Sequence, residues 1–120
     1  MTVHAKIFMK DELRKCFYDI HQAILEIEEF VSELDYDGYA EDAKTQRAVE
    51  RDFEIVGEAL VRIRRDNEEL LNHISEAPKI IGFRNILAHG YDIVDDSVIW
   101  NAVVNHLPRL KIEVDKLLDQ

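Results

Sequence analysis

The run Arg84-Asn85-Ile86-Leu87-Ala88-His89-Gly90-Tyr91 holds the side chains best suited to chemistry. Arginine carries a permanent charge on a planar fork that matches phosphate, and histidine exchanges protons near neutral pH. Together they suit cleavage of a phosphodiester. On a helix, Arg84 and His89 lie about 140° apart, because five steps of about 100° wrap past one turn. They do not share a face. Asn85 and His89, four residues apart, stack on one side, so the Asn85 amide can orient the imidazole, or either residue can hold a substrate oxygen. Gly90 is a natural helix end, and Tyr91 follows where it can fold back over that end. Spacing alone also admits a plainer role, with Arg84 paired to a carboxylate and His89 placed as a cation at a helix C-terminus.

Other residue types add little chemistry. His4, His21, His73 and His106 have no metal-site spacing and no HExxH pattern occurs, so no metal is expected. Cys16 is the single cysteine, which excludes an internal disulfide and a Cys-based zinc site within one chain, and it reads as a small buried apolar side chain. Without a Gly-rich phosphate loop, the chain is not expected to bind ATP as a P-loop protein.

The elements that must position the run read as helices. Leu13, Phe17, Ile20, Ile24, Ile27, Val31 and Leu34 step by fours and threes along one long amphipathic helix, with Cys16, Ala23 and Phe30 as a second row. Asp35-Tyr36-Asp37-Gly38 should stop it as a turn. Val49, Phe53, Val56, Leu60 and Ile63 mark a second helix ending near Arg64-Arg65-Asp66-Asn67. Its other side carries Arg47, Arg51, Glu54, Glu58, Arg62 and Arg65, a solvated or interface-lining face. Gly57 is unfavourable in a helix by about 1 kcal/mol relative to Ala and so suggests close approach by another backbone. Ser75 and Pro78 open a shorter third helix that should end at Gly90. Asp95 caps a fourth, with Val94 stapled onto Ile99 and a stripe of Ile99, Val103, Leu107, Leu110, Val114 and Leu117. Pro108 should bend it. The expected fold is all-α: an up-and-down four-helix bundle with two long helices, a short third helix and a Pro-bent fourth helix.

Composition sets the outer limits. The 120 residues suit one domain over 1–120, and 47% hydrophobic with 33% charged residues is too apolar for disorder and too charged for a membrane span. With no transmembrane run and no signal-like start, a soluble cytoplasmic protein is expected. The net charge of −10 argues against broad nucleic-acid binding. Residues 1–60 carry 7 basic and 15 acidic groups, and residues 61–120 carry 8 and 10, so the acidity is concentrated in the first half. The block from Glu26 to Asp42 has no Lys or Arg and reads as a solvated helix end and turn, or as a docking surface for a basic partner.

The chemical run resembles the HEPN superfamily, whose ribonucleases carry an arginine and a histidine separated by four to six residues. More specifically, Arg84-Asn85, His89-Gly90-Tyr91 and Val94-Asp95 are similar, in order, to the HepT toxins encoded beside minimal nucleotidyltransferase (MNT) antitoxins. Ala48-Val49-Glu50-Arg51, Ile55-Val56-Gly57-Glu58-Ala59, Ile99-Trp100 and Leu107-Pro108 extend the likeness over about residues 45–118. The resemblance implies a metal-independent endoribonuclease toxin working as a homodimer. Arg84 and His89 would be catalytic, Asn85 supporting, and Tyr91 the acceptor of AMP from an MNT partner that uses Mg-ATP. A different class also fits the acidic charge: a non-catalytic helical subunit that binds or regulates the nucleotidyltransferase.

Overall fold

The computed structural model describes residues 9–89 and 95–119, and every regular element among them is helical. Helix α1 (Asp11–Val31) turns Leu13, Phe17, Ile20, Ile24 and Ile27 inward with Cys16 and Ala23, as the spacing predicts. Phe30 departs from the expected second row and is 41% exposed. The segment after α1 is also more than a turn. The Asp35 carboxylate accepts the Gly38 N–H at 2.8 Å and starts a one-turn helix, α2 (Tyr36–Ala40). That turn seats Tyr39 in the core, its ring centroid 5.3 Å from that of Trp100. Asp42 then caps α3 (Ala43–Asp66) by accepting the Thr45 N–H at 3.0 Å. Two members of the acidic block are therefore helix caps, which satisfy N–H groups that have no partner within the helix.

Helix α3 buries Val49, Phe53, Val56, Leu60 and Ile63 completely. A single turn, α4 (Glu68–Leu71), tucks Leu70 beneath the chain before α5 (Ala77–His89) begins with Pro78 in its first turn. The N–H and hydroxyl of Ser75 donate to Glu113 at 3.1 and 2.9 Å, fixing that start against the C-terminal helix. Asp95 caps α6 (Asp96–Asn101) through the Ser97 N–H at 2.8 Å. Val94, the expected staple, lies outside the described residues.

The fourth helical segment differs from expectation in where it breaks. A π-helical turn (Ala102–His106) separates α6 from α7 (Leu107–Leu118), and Pro108 stands in the first turn of α7 rather than inside a continuous helix. The Leu107 N–H reaches back five residues to the Ala102 carbonyl. Proline has no N–H for the carbonyl one turn back and its ring crowds that carbonyl, and the wider turn relieves both problems just before it. The apolar stripe from Ile99 to Leu117 survives this change, with all six residues buried.

Helix α3 packs between α1 and α5, and α1 also packs on α7. Arg14 with the Leu118 carbonyl, His21 with Asp115 and Glu28 with Lys111 run in opposite chain directions, so α1 and α7 are antiparallel. His106 sits 2.9 Å from Glu76, which ties the π turn to the start of α5. No described helix is long and apolar enough to cross a membrane.

Asp52 is the one charged residue buried among the described residues, at 4% exposed, and its Oδ2 has no hydrogen-bond partner there. Burial, followed by the charge of Glu26 on α1, pushes its carboxyl up to about 6. The folded protein therefore holds this proton more tightly than the unfolded chain, whose carboxyl titrates near 3.9. Below about pH 4 both states are protonated and the anion imposes no penalty. Above about pH 6 the penalty is fully present. Asp52→Asn keeps the shape and can donate to Glu26, so it should raise the unfolding free energy by roughly 1–2 kcal/mol at pH 7.5. Denaturant melts across pH should show that gain shrinking toward pH 4, and a gain independent of pH would contradict the assignment.

Candidate active site

Arg84 is positioned by a glycine. A Cβ built at Gly57 on α3 would overlap the Arg84 Cβ and lie 2.7 Å from its Cγ, with the Ile80 carbonyl 3.4 Å away. Gly57 thus lets α5 cross close to α3 at the foot of the Arg84 side chain. The close approach expected from the sequence is real, and its nearest atoms belong to a side chain with backbone behind it.

The guanidinium is then fixed from two sides. Nε donates to Oε2 of Glu58 at 3.0 Å, Nη2 forms an ion pair with the same oxygen at 2.9 Å, and Nη1 donates to Oδ1 of Asn85 at 3.0 Å. The sequence shows Glu58 as part of a charged helical face and of the family-like run Ile55-Val56-Gly57-Glu58-Ala59, whereas the fold makes it the acidic partner of Arg84. Its place directly after Gly57 is the sequence signal: the residue next to a close crossing reaches the same neighbour. Asn85 also differs from its simplest reading. Its amide oxygen holds Arg84, the adjacent residue, which leaves the Nδ2 donors for a substrate or for His89.

Arg84 lines a groove of about 330 Å³ over the outer face of α3. Asp19 of α1 and Arg51, Glu54, Glu58 and Arg62 of α3 supply its other charged walls. Cys16, Ile55, Ala59 and Ala88 form its apolar parts, and Cys16 is buried as expected. Four of the six residues of the face expected to be solvated or interface-lining, Arg51, Glu54, Glu58 and Arg62, therefore line the groove that contains Arg84. Three arginines meet three carboxylates here, a local balance in a chain whose net charge is −10.

His89 is the last residue of α5 and is exposed, and it is not among the residues lining this groove. Because α5 is a regular helix through both positions, Arg84 and His89 project about 140° apart within one chain. The expected stop at Gly90 and the expected site at Tyr91 lie outside the described residues.

Fold and groove define the class: an all-helical domain whose surface groove is lined by a clamped arginine from a helix that ends in histidine. The sequence model of the family described as "Ribonuclease HepT-like" matches residues 20–117. "Probable ribonuclease HepT" of Thermococcus cleftensis is 38% identical over 109 residues, 91% of this chain and 98% of that one. Two Methanocaldococcus jannaschii proteins with provisional RNase names are 31% identical over 106 residues and 29% identical over 111 residues. Those alignments cover 88% and 91% of this chain, and 96% and 89% of the relatives. No solved structure matches. The chain belongs to the HepT-like ribonuclease family.

Proposed function

We propose that this chain is the endoribonuclease toxin of a toxin–antitoxin pair, cleaving RNA without a metal at a site built from two copies of α5. The observation that carries this reading is the clamped Arg84 guanidinium, held by Glu58 and Asn85 at the edge of a groove on the helix that ends in His89. The divergence of Arg84 and His89 on one helix makes a second copy part of the site. In this reading α1, α3, α5 and α7 are the members of an up-and-down four-helix bundle, and two bundles pair with their α5 ends facing a shared cleft.

Chemistry follows from the side chains. One His89 removes the proton from a ribose 2′-hydroxyl, and the freed oxygen attacks the adjacent phosphorus. Arg84 stabilises the charge that builds on the phosphate oxygens, and the second copy's His89 protonates the departing 5′-oxygen. The P–O5′ bond breaks, leaving a 2′,3′-cyclic phosphate and a 5′-hydroxyl. Since the 2′-hydroxyl is the nucleophile, DNA cannot react. Purified protein in excess EDTA should cleave single-stranded RNA and leave a DNA strand of the same sequence intact, and equal cleavage of both would contradict the mechanism.

Tyr91, two residues beyond His89, is the proposed switch. In a minimal nucleotidyltransferase using Mg-ATP, the Tyr91 phenol oxygen would give up its proton and attack the α-phosphorus of ATP, releasing pyrophosphate, and the AMP so added would bring negative charge and bulk to the cleft. No cofactor is assigned to the toxin itself, and it would act in the cytoplasm. The net charge of −10 favours a second reading, a non-catalytic subunit that binds the nucleotidyltransferase, because an acidic surface repels RNA. Growth inhibition separates the two. If Arg84→Ala and His89→Ala still bind the nucleotidyltransferase but no longer arrest growth, the enzyme reading holds; undiminished arrest selects the binding subunit.

A further inference from the structure

The acidic groups of the groove already have cations of their own. Asp19 is 3.1 Å from Lys15, Glu54 is 3.4 Å from Arg51, and Glu58 is 2.9 Å from Arg84. Arg62 lines the same groove, is exposed, and makes no ion pair or hydrogen bond among the described residues. Among the described residues it is the one cation lining the groove that is not paired to a carboxylate. Arg62 lies four residues beyond Glu58 on α3, one helical turn or about 6 Å along the axis from the carboxylate that anchors Arg84. A guanidinium is a planar fork with little affinity for its hydration shell, which suits a phosphate that stays partly solvated.

A second copy of the chain is a poor occupant for this position. Arg47, Arg51, Glu54, Glu58, Arg62 and Arg65 give nearly the same charge order read in either direction. Two α3 helices crossing antiparallel about their midpoint would therefore set arginine against arginine and glutamate against glutamate, a repulsive register. A polyanion laid along the groove meets no such conflict at Arg62.

We propose that Arg62 is a phosphate-binding subsite that holds the backbone of a single-stranded RNA at a phosphate flanking the one gripped by Arg84. This rests on the ribonuclease reading of Arg84 and His89 and adds a substrate contact outside the reacting atoms. Arg62 carries no base-reading role here, so it strengthens binding alike for all sequences.

The test uses the full-length protein with Arg62→Ala and Arg62→Lys. On a single-stranded RNA oligonucleotide, Arg62→Ala should raise KM about five- to tenfold with a much smaller change in kcat, the scale of one net hydrogen bond at a solvated site. The penalty should shrink on a dinucleotide, which has no flanking phosphate. RNA binding measured in a His89→Ala background should lose about 0.7 from the slope of log affinity against log salt when Arg62 becomes alanine, and Lys should retain most of that slope. Unchanged KM and salt slope in a variant whose parent cleaves RNA would overturn the subsite and leave the Arg84–His89 reading standing. Loss of the dimer in Arg62→Ala by light scattering would also overturn it and assign Arg62 to a contact between copies. If the parent protein neither cleaves nor binds RNA, the ribonuclease reading fails first and the subsite with it.

Discussion

His89→Ala should lower kcat/KM for RNA cleavage by about 10²–10⁴-fold, the range for loss of a general acid–base group, while the protein stays folded with only a small shift in its thermal midpoint. The stability half of this prediction follows from position. His89 is exposed at the end of α5, so truncating it opens no cavity. Arg84→Ala should reduce cleavage by about 10²-fold or more through loss of transition-state charge stabilisation. It leaves Glu58 without its partner, but that side chain is 62% exposed and hydrates readily, so the effect on folding stays small. Arg84→Lys should not rescue, because an ammonium cannot bond Glu58, Asn85 and a phosphate in the planar geometry the guanidinium offers. Single-turnover rates on a labelled RNA, together with circular dichroism melts, check both halves. Cleavage by His89→Ala within threefold of the parent would remove His89 from the chemistry.

Gly57→Ala and Gly82→Ala, the same change on two packed helices, should move stability in opposite directions. A methyl at Gly57 collides with the Arg84 Cβ and Cγ, and the Ile80 carbonyl of the same helix lies 3.4 Å away. Relief requires α3 and α5 to separate or Arg84 to shift, so the substitution should destabilise by about 1–3 kcal/mol. Activity should fall with it, because the atoms displaced are those that carry the guanidinium. At Gly82, inside α5, a Cβ meets nothing within 4 Å. There alanine gains up to about 1 kcal/mol of helix propensity with no clash, and activity should stay near the parent value. Urea melts of both variants decide the matter. A Gly57→Ala protein as stable and active as the parent would mean that the crossing at Arg84 is looser than the structure has it.

Much of this fold could be read directly from periodicity. The stripes on α1, α3 and the last helical segment are strong because each helix buries one face, and nearly every residue they name is buried. Periodicity said less where burial is not one-sided. Helix α5 buries Ala77, Ile80 and Ile81 yet leaves Ile86 48% exposed, so its extent came from Pro78 and Gly90 rather than from a stripe. The one-turn helices α2 and α4 went unread, because a single turn is too short to show a period and depends on caps and on one buried anchor each, Tyr39 and Leu70. Asp52 was visible in principle, a carboxylate three residues after Val49 and four before Val56, where the stripe calls for an apolar side chain. At the site, the divergence of Arg84 and His89 followed from helical geometry alone. The clamp by Glu58 did not, since it joins residues 26 apart in sequence through a helix crossing.

In the proposed mechanism, Arg84 and His89 drive attack by a ribose 2′-hydroxyl without a metal. The most direct measurement is the chemistry of the cut ends, read by mass spectrometry after the purified protein digests a defined single-stranded RNA in excess EDTA. Fragments ending in a 2′,3′-cyclic phosphate should appear together with 5′-hydroxyl fragments, and neither should form with His89→Ala. Fragments carrying a 5′-phosphate and a 3′-hydroxyl, or cyclic-phosphate ends formed equally well by His89→Ala, would contradict that mechanism.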